Sequence, residues 1–220
     1  MSHNSITQVR AEALSSALSG VISNFFPKGG CALDLGCGEG SVTKRVADRV
    51  NLDVVGLDPR ASTSIGYRKL VSGYGHFLPF SDSVFDAVIM TSVFEHFKPE
   101  YRMQSIKEIF RVLKNRGILV GQVPNMYFPV ELHSGLPFQQ YLPRKMGDAY
   151  LHVKYPKAVV SDWYRVSLGE LNKLAVISGF RSGFSWRHNY PDGAIPRAMR
   201  WAYPFLSIIP IGYIFCFIKK

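Results

Sequence analysis

At 220 residues the chain has the length of one ordinary domain, and with 47% hydrophobic and 13% aromatic residues it can bury a full core, which excludes a disordered segment or a disulfide-stapled miniprotein. Cys31, Cys37 and Cys216 form neither a disulfide framework nor a metal-ligand spacing, and the polar N-terminus lacks the apolar stretch of a secretory signal, so the expected compartment is the cytoplasm. The net charge of +10 is concentrated late: residues 1–139 hold 14 Lys/Arg against 12 Asp/Glu, and residues 140–220 hold 12 against 4. Such asymmetry points to an anionic partner, with a solvated basic face as the plain alternative.

In chain order, Ile6, Val9, Leu14, Leu18, Val21 and Ile22 recur at helical spacing, with Asn4 or Ser5 as a cap and Pro27 beyond the end. Short apolar runs at Cys31–Leu35, Asp53–Leu57, Tyr74–Leu78, Phe85–Thr91 and Gly117–Val123 predict strands. Helical patterns at Val42/Val46/Val50 and Met103/Ile106/Ile109/Phe110/Leu113 fall between them. Strands alternating with helices predict an α/β fold, a doubly wound and mostly parallel sheet covered on both faces. Residues 125–160, rich in Pro, Tyr and His, predict an irregular lid or binding segment. Ser167 and Glu170 then make a capping-box pattern ahead of one more helix. The uncharged run Trp201–Ile218 reaches the lower length of a membrane span but contains Pro204 and Pro210. Its second part, Ile211–Ile218, predicts a buried strand. Arg197, Arg200, Trp201, Tyr203, Phe205 and Leu206 would make a basic, aromatic helix suited to peripheral contact with an anionic membrane.

The most informative stretch is Asp34-Leu35-Gly36-Cys37-Gly38-Glu39-Gly40, which sets three glycines at alternate positions between a strand and a helix. Glycine there allows a tight turn and a close approach of ligand to backbone. Asp58 ends the next strand 18 residues after Gly40, where a carboxylate can accept both hydroxyls of a ribose. The spacing is not that of the dinucleotide fingerprint, and Asp34 and Glu39 would repel a pyrophosphate while suiting an ammonium or sulfonium group.

These residues resemble the class I S-adenosylmethionine-dependent methyltransferases, in particular those similar to the ubiquinone/menaquinone-biosynthesis enzymes (methyltransferase type 11). The likeness runs through Val55–Asp58, Leu78-Pro79-Phe80, Phe85-Asp86, Phe94-Glu95-His96 and Glu108–Lys114 before Gly117. It implies a Rossmann-like seven-stranded sheet with an antiparallel C-terminal strand, and S-adenosyl-L-methionine as cofactor. It also implies one domain over residues 1–220, with a cofactor core at 28–123, a substrate lid at 124–165, and a C-terminal helix and strands at 166–220. The cofactor set implied is Asp34, Gly36, Cys37, Gly38, Gly40, Asp58, Pro59, Phe77 and Ser92. Where the family often has an Asp-Ala pair for adenine, this chain reads Tyr74-Gly75-His76-Phe77, leaving those contacts to backbone or stacking.

Transfer to an oxygen acceptor calls for a base, and histidine is the first choice. His96 stands at the family's substrate-facing rim, against a structural reading in which Glu95 and His96 orient the next helix. Some quinone O-methyltransferases place a metal-binding Glu-x-x-Glu-His there, but Ser92 replaces the first Glu, so no metal is expected. His133 and Glu131 lie in the segment after the fifth strand, where acceptors bind in the family, and either could serve as base. The expected acceptor is a small molecule, lipid or glycan-lipid, and an anionic head on it would suit the basic C-terminal part. An RNA methyltransferase ranks behind it, as does a non-catalytic S-adenosylmethionine-binding regulator.

Overall fold

The computed structural model describes residues 3–60, 67, 69–131, 134, 136–156, 163–189, 203–206 and 208–220. The helices are α1 (His3–Phe25), α2 (Thr43–Val50), α3 (Pro99–Val112), α4 (Arg144–Lys154), α5 (Leu168–Ile177) and α6 (Tyr203–Leu206). The strands are β1 (Gly30–Leu35), β2 (Leu52–Leu57), β3 (Lys69–Val71), β4 (Phe85–Thr91), β5 (Leu113–Pro124), β6 (Phe180–His188) and β7 (Gly212–Lys219). Among the described residues they form one seven-stranded sheet in the order β3-β2-β1-β4-β5-β7-β6. Neighbours from β3 to β5 run parallel, whereas β7 is antiparallel to both β5 and β6.

The period-two pattern of each strand explains the layering. Leu33, Leu35, Val55, Leu57, Val88, Met90, Phe215 and Phe217 point to one face, where they pack with Ile106 and Ile109 of α3 and Leu171 and Ala175 of α5. Their alternates Ala32, Val54, Ala87, Ile89, Ile214 and Cys216 meet Leu14, Leu18, Val21 and Ile22 of α1 and Val46 of α2 on the other face. Both faces of the central strands are buried, so their sequences read as continuous apolar runs. The second part of the uncharged C-terminal run is accordingly a core strand, and no helix among the described residues is long and apolar enough to cross a membrane.

Three local expectations differ, and a fourth falls largely outside the described residues. Tyr74–Leu78 is not a strand but a turn: the Phe77 N–H donates to the Tyr74 carbonyl at 3.1 Å, and Gly75 packs so tightly that a Cβ would lie 2.7 Å from the Phe97 ring. The third strand is instead the short β3, upstream. The irregular segment contains α4, and α1 begins at His3, so Asn4 and Ser5 lie inside that helix rather than capping it. Of the predicted basic, aromatic helix only Tyr203–Leu206 is described as helical, and Arg197, Arg200 and Trp201 lie outside the described residues. Ser167 caps the helix as read, its Oγ accepting the Glu170 N–H at 3.1 Å, while the Glu170 carboxylate accepts from Arg102 at 2.6 Å.

Candidate functional site

The glycine loop leaves the carboxyl end of β1 at the centre of the sheet, the end at which open α/β sheets bind their ligands. Gly36 and Gly38 have φ of +68° and +47°. The loop is tied to the neighbouring strand, because the Gly36 and Cys37 N–H groups both donate to the Leu57 carbonyl, at 2.7 and 3.2 Å. The two glycines serve different purposes. A Cβ on Gly36 would come within 2.6 Å of Val93, so this position closes the loop onto the connection after β4. A Cβ on Gly38 would meet no atom of the described residues within 4 Å; it would enter the space in front of the loop.

Asp58 follows β2 at the same edge, half-buried, and accepts the Gly38 N–H at 3.1 Å and the Arg60 N–H at 2.8 Å. Asp34 lies beneath the loop, 2% exposed, with the Tyr67 hydroxyl donating to it at 2.7 Å. Burial raises its carboxyl to about 7, against hydrogen bonds from Tyr67 and Thr43 that lower it. Burial likewise pushes the Cys37 thiol up to about 12, helped by the charges of Asp34 and Asp58, so Cys37 is a packed neutral thiol and not a nucleophile. Tyr67 carries no apolar periodicity, and nothing in the sequence marks it as the partner of Asp34.

The other cofactor candidates lie around the loop at varying remove. Gly40 closes its turn, donating to the Cys37 carbonyl at 2.7 Å. Pro59 is exposed beside Asp58, and Phe77 is 76% exposed on the Tyr74–Phe77 turn. Ser92, at φ +54°, ties β4 to β5 by donating its hydroxyl to Gln122 Oε1 at 2.7 Å and its N–H to the Gln122 carbonyl at 3.1 Å. The open cradle at Gly38 and the carboxylate pair Asp34 and Asp58 fit a ligand with a ribose and a cationic sulfur.

A small cavity of about 40 Å³ opens beyond the carboxyl ends of β4 and β5. Its walls are Glu95, the segment Pro124–Met126, Val130 and Glu131, Gln140, and residues 163–166. Glu95 and Glu131 are 2% and 9% exposed, and the Glu95 carbonyl accepts the Tyr164 N–H at 2.7 Å. His96 is exposed in the short 3-10 turn Phe94–His96 and is not among the cavity residues. Glu131 is among them, and His133 lies outside the described residues. Glu95, Gln140, Trp163 and Tyr164 join Glu131 only through the tertiary fold. Among the described residues no group of three or more His, Cys, Asp or Glu could hold a metal ion.

A Rossmann-like sheet with the β7 reversal, a glycine loop after β1 and a carboxylate after β2 are the features that the sequence's resemblance to class I S-adenosylmethionine-dependent methyltransferases implied. Residues 33–121 match the type 11 family model, described as "Methyltransferase domain". Two uncharacterized proteins of Methanocaldococcus jannaschii are similar to the chain. One is 30% identical over 107 residues, 49% of this chain and 42% of the relative; the other is 35% identical over 95 residues, 42% and 40% respectively. The chain thus spans about two-fifths of the length of these curated relatives. Among solved structures, a methyltransferase of Thermotoga maritima aligns with a TM-score of 0.61 at 18% identity, over 96% of this chain and 92% of the other. One from Methanosarcina mazei aligns at 0.58 and 19%, over 90% and 96%. The 1,6-didemethyltoxoflavin-N1-methyltransferase of Burkholderia thailandensis, solved with 1,6-didemethyltoxoflavin and S-adenosylhomocysteine bound, aligns at 0.61 and 14%, over 94% and 78%. At these identities the likeness establishes the fold.

Proposed function

We propose that this protein transfers a methyl group from S-adenosylmethionine to a small-molecule, lipid or glycan-lipid acceptor in the cytoplasm. The observation that carries the reading is the Gly38 cradle with Asp58 bonded to its backbone, at the sheet edge that also opens the Glu95/Glu131 cavity. S-adenosylmethionine, when bound, supplies an electrophilic methyl group on a sulfonium. The chain's own residues bind and orient. Gly38 would admit the cofactor while Gly36 closes the loop onto Val93, Asp58 would accept its ribose hydroxyls, and Asp34 would stand beneath the loop that holds it. The cavity residues exclude water and orient the acceptor along the sulfur–methyl axis, which lowers the barrier by positioning. Glu131 is the base proposed for an acceptor that must lose a proton, with His96 and His133 as the histidine candidates.

The test is incubation of the full chain with methyl-labelled cofactor and fractionated cell extract. Label in a lipid, glycan or small-molecule fraction is the expected result. Label in RNA alone would replace this acceptor assignment, and cofactor binding without label in any fraction would favour a regulatory binding protein.

A further inference from the structure

We propose that a second, larger cavity at the start of α4 binds an anionic group of the methyl acceptor, a carboxylate or phosphate, with Arg165 and Arg144 as its cations; this rests on the methyl-transfer reading above. The cavity has a volume of about 330 Å³ and is walled by the start of α4, through Arg144, Gly147 and Asp148, and by residues 163–165. That is the lower end of the range for small-molecule sites, roughly 300–1,000 Å³. Trp163, Tyr164 and Arg165 also line the small cavity beyond β4 and β5, so this segment is a wall common to both.

The lining is rich in donors and poor in acceptors. Arg165 donates from Nη2 to the Gln140 and Leu142 carbonyls at 3.0 and 3.3 Å, while its Nε and Nη1 have no partner among the described residues. The Trp163 indole N–H, a donor only, also has none among them. The acceptors are engaged. The Gly147 carbonyl takes the Gln139 amide at 3.3 Å, Gln139 Oε1 takes the Ser134 hydroxyl, and the Pro143 carbonyl takes the Met146 and Gly147 N–H groups at 2.9 Å. Asp148 is the sole carboxylate of the described lining and faces Arg144 Nε at 4.0 Å, so two guanidiniums against one carboxylate leave a charge of +1. Arg144 also lies over the Tyr164 ring, 5.7 Å from its centroid, and the first turn of α4 carries no acidic residue. A carboxylate or phosphate, which accepts at every oxygen, answers this lining; an ammonium would add donors and a like charge. Trp163 and Tyr164 offer aromatic faces to the remainder of the molecule.

The placement suits the chemistry. The backbone that carries Arg165 is fixed from behind: Arg102 donates to the Arg165 carbonyl at 3.2 Å, and the Tyr164 N–H donates to the Glu95 carbonyl at 2.7 Å. Glu95 follows by two residues Val93, against which Gly36 closes, so the cationic wall is tied to the connection that seals the glycine loop. An anion held by Arg165 orients the acceptor without taking part in the bond that forms, and such remote binding serves positioning.

The experiment is a fluorine-NMR titration of the full chain with para-fluorobenzoate, para-fluorophenyl phosphate, para-fluorobenzyl alcohol and para-fluorobenzylamine, with and without S-adenosylhomocysteine. At low salt the two anions should bind about tenfold tighter than the alcohol, as expected for charge-assisted hydrogen bonds, and the amine weakest. Arg165→Gln should remove most of that advantage and Arg165→Lys should retain part of it. Lys173→Gln, at an exposed cation of α5 outside the cavity lining, should leave it unchanged. Circular dichroism verifies folding; should Arg165→Gln not fold, Arg144→Gln on the exposed start of α4 should weaken the anions in its stead. Displacement of bound para-fluorobenzoate by anionic liposomes would put the anion on a lipid headgroup, and its retention would put it on a soluble acceptor, with the site upheld in both cases. Equal or tighter binding of the alcohol or amine, an advantage indifferent to Arg165→Gln and Arg144→Gln, or an equal loss in Lys173→Gln would overturn the proposal. Failure to bind S-adenosylhomocysteine would instead remove the methyl-transfer reading, since the fragment ranking is measured separately on the chain alone.

Discussion

Asp58 accepts two backbone N–H groups at the mouth of the glycine loop, and the proposed cofactor would add two ribose hydroxyls to it. Asp58→Ala should weaken S-adenosylhomocysteine binding by about 1.5–3 kcal/mol, measurable by calorimetry; unchanged affinity would remove Asp58 from the site. The two loop glycines should separate binding from folding. Gly38→Val places its side chain in open space at a left-handed φ, a backbone cost of about 1–2 kcal/mol, and should abolish cofactor binding in a folded chain. Gly36→Val drives a Cβ to 2.6 Å from Val93 and should lower the melting temperature sharply as well. Asp34 gives a prediction in pH. Its folded carboxyl is raised to about 7 from 3.8, so between those values the folded chain holds a proton that the unfolded chain has lost. Stability should therefore fall as pH rises from about 4 to about 7 and level off above. Urea titrations of the native chain against Asp34→Asn should show the two curves diverging across that window; parallel curves would show that Asp34 stays ionised.

At the scale of elements, Arg102 shows how the cavity wall is held. It is 4% exposed on α3, and it donates to Glu170 at 2.6 Å and to the Phe97 and Arg165 carbonyls at 3.2 Å each. One guanidinium thus joins α3, the first turn of α5 and the segment 163–166. Its planar fork suits this, because three acceptors in different directions need three fixed donors. Arg102→Met should cost about 3 kcal/mol in urea unfolding, since it leaves two carbonyls and a partly buried carboxylate without their donor. A loss below about 0.5 kcal/mol would mean that water replaces it readily. Strand β6 shows what pattern reading passes over. A register shift between Arg181 and Phe184 in this edge strand leaves Phe180 packed on the α3/α5 face and Trp186 on the α1/α2 face, with Phe184 stacked on Trp186 at a ring-centroid distance of 5.6 Å. The irregularity, which contains Gly183, breaks the period-two pattern by which a strand is read.

For the whole molecule, the excess of cations after residue 140 has a place on the surface. On α4 the exposed Met146 and Val153 stand among Arg144, Lys145 and Lys154, and Tyr127, Phe138 and Tyr141 are exposed on the neighbouring segment. Weak, salt-sensitive sedimentation with anionic liposomes is the expected outcome, since each surface cation contributes about 1 kcal/mol near such a membrane. Lys145→Glu with Lys154→Glu should reduce it and leave S-adenosylhomocysteine affinity intact. No binding even at low salt would return the basic face to the role of a solvated surface.

The sequence by itself determined the central strands, the helices α1, α2, α3 and α5, the glycine loop and the apolar last strand. These features are local: a run buried on both faces, or a turn that needs positive φ, writes itself into consecutive residues. The packed structure alone decided that Tyr67 meets Asp34 and that Tyr74–Leu78 turns rather than pairs. It also decided that Glu95, Glu131, Gln140 and Trp163 share one cavity. Those relations join residues tens of positions apart, and they arise from which strand ends become neighbours, for which single polar residues carry no periodic signal.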